Sequence, residues 1–217
     1  MTRPTTPPLD AGLVFVERPD RGAMQRLVLG STHDGETLWV DAGGAANTYE
    51  LLDGDSTRRE LRGIRIARAF QVHQHHQLVR DLVAEASGRT GLVVAPNVAA
   101  LYEAADVAAA TVERLFDATL AMLAGLADAL GVPVLVSAPR ASESRREAVR
   151  ERATDVVECR RTGLGYAFET EGFETPGYWH RGWWQTTIPY WVDLCGAVGT
   201  DAPTDVAPTP AEVAVSE

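Results

Sequence analysis

Lysine is absent from this sequence: all 20 basic residues are arginines, set against 30 acidic residues in a chain of 217. The formal net charge of -10 argues against a surface that is basic throughout, so any contact with nucleic acid must be local. A lysine-free, acidic chain rich in alanine and valine is typical of GC-rich genomes and of salt-accumulating microbes, in which a strongly acidic surface keeps proteins soluble.

Cysteine and long apolar runs are scarce as well. Cys159 and Cys195 lie far apart without CxxC spacing, so two buried free thiols are expected rather than a zinc site or a disulfide framework. No run approaches the roughly 18 apolar residues of a membrane span, and the first ten residues (MTRPTTPPLD) lack the apolar core of a signal peptide. The sequence therefore predicts a cytoplasmic protein with no membrane partner.

The two ends of the chain differ in composition from the rest. Residues 1–8 are rich in threonine and proline, and residues 197–217 mix proline, threonine and acids with little to bury, so both are predicted to be disordered tails. The length fits one ordinary domain, which we place at residues 9–196.

Within that domain, short apolar runs alternate with amphipathic stretches. Strands are predicted over residues 13–16, 37–40, 64–67, 91–95, 132–137, 156–160 and 165–169, and helices over residues 22–29, 48–52, 73–87 and 106–130. Helices between buried strands imply right-handed crossovers, and hence an α/β fold with a mostly parallel central sheet flanked by helices. The last two strands follow each other closely, which predicts an antiparallel extension at one edge.

Residues 13–173 resemble the ATPase core of the RecA/RadA recombinase family. "IRIARAF" (64–70) followed by "HQHHQLV" (73–79) is similar to the family's strand ending in Ala-Arg-Ala-Phe and its helix start containing His-Gln. "LWVDAGGAANTYEL" (38–51) is similar to the strand that ends in Asp-Thr-Glu, and "LADALGVPVLVSA" (126–138) to the helix and strand before the second DNA-binding loop. The resemblance implies a RecA-like P-loop NTPase fold and, with the composition, a halophilic archaeon as the source.

In that register, "ERPDRGAM" (17–24) takes the place of the phosphate-binding motif GxxxxGK[ST]. A working loop needs glycines whose backbone N–H groups face the phosphates, a lysine for the terminal phosphates, and a hydroxyl for magnesium. Only Gly22 of these is retained. The altered positions carry two carboxylates, a methyl group and a thioether: Glu17, Asp20, Ala23 and Met24.

The other positions of an ATPase are altered in the same direction. After Asp41, the resemblance places the family's catalytic glutamate at Gly43, which cannot activate water. Where a Walker B aspartate would help to hold the metal, residues 95–97 read Ala-Pro-Asn. We therefore predict no catalytic residues, no cofactor and no ATP hydrolysis, and ATP binding through Gly22 and the following helix is disfavoured.

An arginine cluster follows the strand at residues 132–137, where the resemblance places the loop that contacts single-stranded DNA. Its members are Arg140, Arg145, Arg146, Arg150 and Arg152. Arginines there would bind phosphates and stack on bases. The alternative is a solvated helix laced by ion pairs, such as Arg146 with Glu143 and Glu147 with Arg150. The sequence leaves both readings open.

Four of the five tryptophans crowd into residues 177–196: Trp179, Trp183, Trp184 and Trp191. Such density is typical of a hairpin that seals a sheet edge, of a protein–protein anchor, or of a stacking platform for bases. Little positive charge accompanies these rings, so packing in the core or in a protein interface is favoured, and these tryptophans are our candidate partner interface.

Three histidines near the start of the predicted helix at 73–87 invite a metal interpretation. His73 and His76 stand at i and i+3, but the HExxH pattern is absent and no carboxylate is in ligand spacing. A polar helix start without a metal is the preferred interpretation.

Together these features predict a non-catalytic RecA/RadA-like protein that acts as an accessory or regulatory partner in DNA recombination and repair. Its expected partners are an active recombinase or another repair protein, and single-stranded DNA. Two alternatives stay open: a residual nucleotide-binding ATPase with an altered loop, and a purely structural interaction domain.

Overall fold

A computed structural model describes residues 5–19, 21–31, 35–44, 63–163, 165–180 and 183–186. An eight-stranded sheet forms the centre of the molecule, and a separate two-stranded sheet follows it. The strands are β1 Gly12–Glu17, β2 Glu36–Ala42, β3 Ile64–Ala69, β4 Thr90–Ala95, β5 Pro133–Val136, β6 Asp155–Thr162, β7 Gly165–Thr170, β8 Phe173–Glu174, β9 Gly177–His180 and β10 Trp183–Thr186.

The strand order in the central sheet is β3-β2-β4-β5-β1-β6-β7-β8. The first six strands run parallel, and β7 and β8 continue the sheet antiparallel to their neighbours. This arrangement confirms the predicted α/β fold with a mostly parallel sheet and an antiparallel extension at one edge. Every strand predicted from the sequence is present, with its ends shifted by at most two residues.

Helices cover both faces of the sheet: α1 Arg21–Gly30, α2 Val72–Glu85, α3 Ala100–Glu103, α4 Ala109–Leu130 and α5 Glu143–Arg152. Helix α1 packs on one face against Val14, Val16 and Leu135, whereas α2, α4 and α5 share the opposite face with Leu13 and Phe15. Neighbouring residues of a strand point to opposite faces, so a fully buried strand such as β1 supports helices on both sides.

One helix prediction differs from the structure at its start, and one helix was not predicted. Helix α4 begins at Ala109 rather than at residue 106, because the backbone at Ala108 is extended (ψ 128°). Its end is as expected: Gly131 adopts the left-handed conformation (φ 63°) and its N–H donates to the Ala127 carbonyl. The short helix α3 was not predicted from the sequence.

Part of the predicted N-terminal tail, residues 1–8, packs on the fold. Residues 1–4 lie outside the described residues, and Thr6 and Pro7 are buried. The Thr6 hydroxyl donates to the Gly30 carbonyl (3.2 Å), and the Thr175 hydroxyl donates to the Thr5 carbonyl (3.3 Å). These hydrogen bonds join the segment to the rest of the fold, which therefore extends N-terminally of Leu9.

Some predictions lie outside the described residues: the helix at 48–52, the tail at 197–217, Asp20, Trp191 and Cys195. In the ranges that the structure does describe, no helix has the length and apolar character needed to cross a membrane.

Candidate functional site

The carboxyl ends of β5, β1 and β6 form the edge at which a ligand site is expected. Strand β1 lies between β5 and β6; α1 leaves it on one face of the sheet, and α5 connects β5 to β6 on the other. Open α/β sheets bind ligands outside the carboxyl ends of the strands where the connections diverge in this way. Residues 17–24, where the resemblance places an altered phosphate loop, begin at the last residue of β1 on this edge.

Glu17, the last residue of β1, is held by an ion pair inside the fold. Its side chain is 8% exposed and accepts a hydrogen bond from Arg150 of α5. The Arg150 guanidinium also lies 6.0 Å from the centre of the Phe15 ring. The carboxylate that sequence analysis placed at the phosphate position is thus neutralised by one of the candidate DNA-binding arginines.

Tyr166 of β7 lies over the first turn of α1. A Cβ atom added at Gly22 would stand 2.3 Å from the Tyr166 hydroxyl and 3.0 Å from the ring carbon that bears it. Gly22 therefore provides room for an aromatic ring at the helix N-terminus, the place where the resemblance would put a phosphate. Sequence analysis missed Tyr166, because no local pattern connects β7 with the loop.

Ala23 and Met24 take part in the apolar core. Both are buried in the cluster that α1 forms with Val14 and Val157. Their side chains pack beneath the helix, so they stabilise the junction between β1 and α1 by apolar burial.

The turn between β4 and α3, where the resemblance would place a Walker B aspartate, is held to β5 by hydrogen bonds. The Asn97 N–H donates to the Ser137 hydroxyl (3.1 Å), and the Val98 N–H donates to the Ser137 carbonyl (2.9 Å). Asn97 has a left-handed backbone (φ 54°), a conformation that asparagine tolerates better than most residues. The residues at this position thus serve to join neighbouring strand ends.

Asp41 lies on the same edge of the sheet, near the carboxyl end of β2, but away from the end of β1. Its side chain is fully buried, and its Oδ2 lies 3.3 Å from Nε of Arg68 on β3. Strands β5 and β4 intervene between β1 and β2, which corresponds to a separation of roughly 14 Å at the usual strand spacing. The predicted nucleotide positions therefore form two groups, one at Glu17 and Gly22 and one at Asp41 and Gly43.

Gly43 has a backbone that favours glycine. Its φ is 72°, and in the described part of the chain no atom lies within 4 Å of where its Cβ would stand. A Gly43→Ala variant is expected to lower the free energy of unfolding by about 1 kcal/mol, because an L-residue is strained in this region. Gly88→Ala is the matched control, since its surroundings are equally open and its φ is ordinary. Equal urea-unfolding free energies for the two variants would contradict the backbone explanation.

Two cavities flank Glu17 and Arg18. One cavity, of about 340 Å³, lies toward α5 and is lined in part by Arg146 and Arg150. The other cavity, of about 360 Å³, lies toward the antiparallel strands β7 and β8. The second cavity is lined by a row of carboxylates in cross-strand register, namely Glu17, Glu158, Glu169 and Glu174, together with Arg160 and Arg161. Among the described residues, no group of three or more histidines, cysteines and carboxylates is placed to hold a metal ion.

Four arginines of the cluster lie on helix α5, and Arg140 lies in the turn that precedes it. Arg145 forms two ion pairs: its Nη1 lies 2.9 Å from Glu103 Oε2, and its Nη2 lies 2.6 Å from Glu113 Oε1. Arg152 Nη2 lies 3.2 Å from Asp117 Oδ1. The predicted pair of Arg146 with Glu143 is present, whereas Arg150 reaches Glu17 rather than Glu147. Arg140 is exposed and has no ion pair within the described ranges.

Glu103 joins α3 to the start of α5. Its Oε1 accepts hydrogen bonds from the Ser142 N–H (2.7 Å) and hydroxyl (2.8 Å), and its Oε2 pairs with Arg145. Burial by itself would raise the pKa of Glu103, but the Ser142 hydrogen bonds and the Arg145 charge outweigh it and lower the pKa. Ionised Glu103 thereby satisfies a backbone donor at the N-terminus of α5.

The histidines belong to a polar network between helices. His75 is fully buried, and its Nδ1 lies 3.1 Å from the Tyr102 hydroxyl, which lies 2.8 Å from Thr119 Oγ1. His76 Nδ1 lies 3.0 Å from the same Thr119 oxygen. Burial, followed by the charge of His76, lowers the His75 pKa from 6.5 to about 4. Burial also raises the pKa of Tyr102 to about 12.

Two strands of the tryptophan-rich segment, β9 and β10, lie within the described residues. They pair antiparallel, with Trp184 opposite Trp179 and Trp183 opposite His180. The ring of Tyr178 lies 3.3 Å from the position of a Cβ atom at Gly165, so β9 contacts the start of β7. The use of these tryptophans as a partner interface stays a prediction.

No protein-family model matches the chain, and no curated protein is detectably similar to it. The function is therefore argued from the site itself.

Proposed function

We propose that this chain is a non-catalytic member of the RecA/RadA-like proteins, with a RecA-like fold, that serves as an accessory or regulatory protein in DNA recombination and repair. One observation supports the non-catalytic part of this proposal: side chains of the protein itself occupy the edge of the sheet at the carboxyl end of β1. The Glu17–Arg150 ion pair and the Tyr166 ring take up the space where the resemblance would place nucleotide phosphates.

Electrostatics and sterics both disfavour a nucleotide at this edge. A phosphate group approaching β1 would have to compete with the Glu17 carboxylate for Arg150, and it would have to displace Tyr166 to reach the first turn of α1. No lysine exists anywhere in the chain to compensate the phosphate charge. The edge of the sheet is thus adapted to internal contacts.

Calorimetric titration with ATP and Mg²⁺ is expected to give no saturable heat. The physical reason is the loss of every phosphate-binding group except the Gly22 backbone. A saturable signal that disappears in an Asp41→Asn variant would instead favour the residual nucleotide-binding ATPase, for which the buried Asp41 beside Arg68 is the supporting feature.

The partner is tested by pull-down of an active RecA/RadA-type recombinase on the tagged full chain, at high salt so that weak charge contacts are screened. We expect retention of the recombinase, reduced in a Trp183→Ala, Trp184→Ala variant and unchanged in Arg140→Ala. Absence of association with both recombinase and single-stranded DNA under all conditions would favour the purely structural domain.

A further inference from the structure

The cavity of about 340 Å³ beside α5, which we call the α5 cavity, is rich in arginine. Arg18, Arg146 and Arg150 line it together with two carboxylates, Glu17 and Glu143. Positive charge is therefore in excess in this cavity, although the chain as a whole has a net charge of -10. A concave site with an excess of one sign of charge concentrates ligands of the opposite sign.

The excess charge belongs to Arg18. Glu17 is paired with Arg150, and Glu143 is paired with Arg146. Arg18 is exposed and has no ion pair or hydrogen bond in the described part of the chain. The two carboxylates thus compensate two of the three guanidinium groups, and the third is left for a ligand.

The two paired arginines also keep hydrogen-bond donors for a ligand. A guanidinium has five N–H donors. Arg150 uses its Nη2 for Glu17, whereas Arg146 uses Nη1 for Glu143 and Nη2 for the Ala141 carbonyl. Their side chains are 42% and 34% exposed, so the remaining donors are accessible. An anion can therefore bind in the cavity without displacing either carboxylate.

The backbone of Arg18 is unusual. Its φ is 48°, in the left-handed region that arginine rarely adopts. Backbone conformations of this kind are concentrated at ligand sites, where they direct a side chain. Arg18 directly follows the last residue of β1, at the carboxyl edge of the sheet where ligands bind in open α/β folds.

We propose that the α5 cavity binds a small organic phosphate monoester. A phosphate monoester carries about two negative charges and three strong acceptor oxygens, which suit three neighbouring guanidinium groups. Phe15, Ala138 and Pro139 also line the cavity and provide apolar contacts for the organic part of the ligand. The volume is at the lower end for ligand pockets, which favours a ligand smaller than a nucleotide.

This site does not depend on the proposed function. Tyr166 and the first turn of α1, where the resemblance would put nucleotide phosphates, belong to the apolar cluster on one face of the sheet. Helix α5 and Phe15 lie on the opposite face. The absence of ATP binding and the presence of a phosphate monoester site are therefore compatible, and they are tested separately.

The test is calorimetric titration of the full-length chain with three separate probes: phenyl phosphate, inorganic phosphate and benzoate. Phenyl phosphate is expected to give saturable heat for one site. Inorganic phosphate is expected to bind more weakly because it lacks the apolar part, and benzoate because its carboxylate has one charge and one oxygen fewer.

Two variants remove the proposed contacts one at a time. Arg18→Gln and Arg146→Gln are each expected to raise the dissociation constant of phenyl phosphate about tenfold, because each removes one charge-assisted contact. Both variants are expected to fold, since Arg18 has no partner among the described residues and Glu143, the partner of Arg146, is 80% exposed. Arg150 is kept because the buried Glu17 depends on it.

Arg160→Gln is the matched control. Arg160 is an exposed arginine that lines the neighbouring cavity, so its replacement removes the same charge outside the α5 cavity. It is expected to bind phenyl phosphate like the parent. Equal weakening by Arg160→Gln would show a general effect of charge and would overturn the proposal.

Three other results would overturn it as well. The first is the absence of saturable heat with phenyl phosphate, and the second is parent-like affinity in both Arg18→Gln and Arg146→Gln. The third is tighter binding of benzoate or inorganic phosphate than of phenyl phosphate, which would assign the cavity to carboxylates or to the inorganic ion instead.

Discussion

Replacing Arg150 by alanine is expected to lower the free energy of unfolding by about 3 kcal/mol, because the buried Glu17 carboxylate loses its partner. The value lies at the lower end for a broken buried pair, since Arg150 itself is 42% exposed and water can partly replace it. The variant also loses the contact of the guanidinium with the Phe15 ring. Urea unfolding measures the difference without adding salt.

Arg140→Ala is the matched control, with an expected change within about 0.5 kcal/mol because the side chain is exposed and has no ion pair in the described residues. Glu17→Gln is expected to cost less than Arg150→Ala, since a neutral amide can stay buried more easily than a carboxylate. The double variant Glu17→Gln, Arg150→Ala should therefore be more stable than Arg150→Ala alone. A double-mutant cycle with these two positions would quantify the difference. Equal stability of the two arginine variants would show that Glu17 gains nothing from Arg150.

Acidification is expected to destabilise the fold through His75 by about 3 kcal/mol in total, because the pKa of this residue falls from 6.5 to about 4 on folding. Above pH 6.5 the imidazole is neutral in both the folded and unfolded states, and its contribution to stability is complete. Between pH 6.5 and 4 the unfolded chain binds a proton that the folded chain refuses, so stability falls. Below about pH 4 both states are protonated and the loss stops.

The physical cause is the surroundings of the ring. His75 Nε2 is buried without a hydrogen-bond partner in the described part of the chain, so protonation would place a charge where nothing accepts its proton. Desolvation also lowers the pKa of the partly exposed His76 and adds to the loss in the same direction.

Urea-unfolding free energies at pH 7 and 4.5 for the parent and a His75→Gln variant isolate this effect, because carboxylate titrations are common to both chains. The parent is expected to lose about 2 kcal/mol more than the variant over this interval. His73→Gln, at an exposed position of the same helix, serves as the control and should follow the parent. Identical pH profiles for parent and His75→Gln would assign the acid sensitivity to other groups.

The secondary structure could be predicted from the sequence because its signals are local. Apolar runs such as those of β1 and β4 are bounded by polar turns, and the apolar period of α4 is readable over six turns of helix. The alternation of these elements implied the parallel sheet, and the short interval between β6 and β7 implied the antiparallel edge. The absence of phosphate-binding residue types from positions 17–24 was likewise visible in the sequence alone.

The contacts that the residues of this loop make could be found only from the tertiary structure. Arg150 is 133 positions from Glu17, and they meet because the connection from β5 to β6 carries α5 across β1. Tyr166 reaches Gly22 for a similar reason, since β7 extends the sheet beside the helix that leaves β1. The spacing of the arginine cluster left two interpretations open, DNA binding and ion pairs within the helix. Spacing could not decide between them, because carboxylates at i and i+4 of one helix compete for each arginine with carboxylates that other helices bring near.

The sequence by itself thus determined the class of fold and showed that residues 17–24 carry no lysine and no hydroxyl for a phosphate site, since both depend on residue types and periods within a few turns of chain. The tertiary structure decided which contacts those residues make: Glu17 is paired with Arg150 of α5, Gly22 lies beside the Tyr166 ring of β7, and carboxylates of α3 and α4 face Arg145. Charge pairing and close packing depend on distances between elements, which the order of strands in the sheet sets.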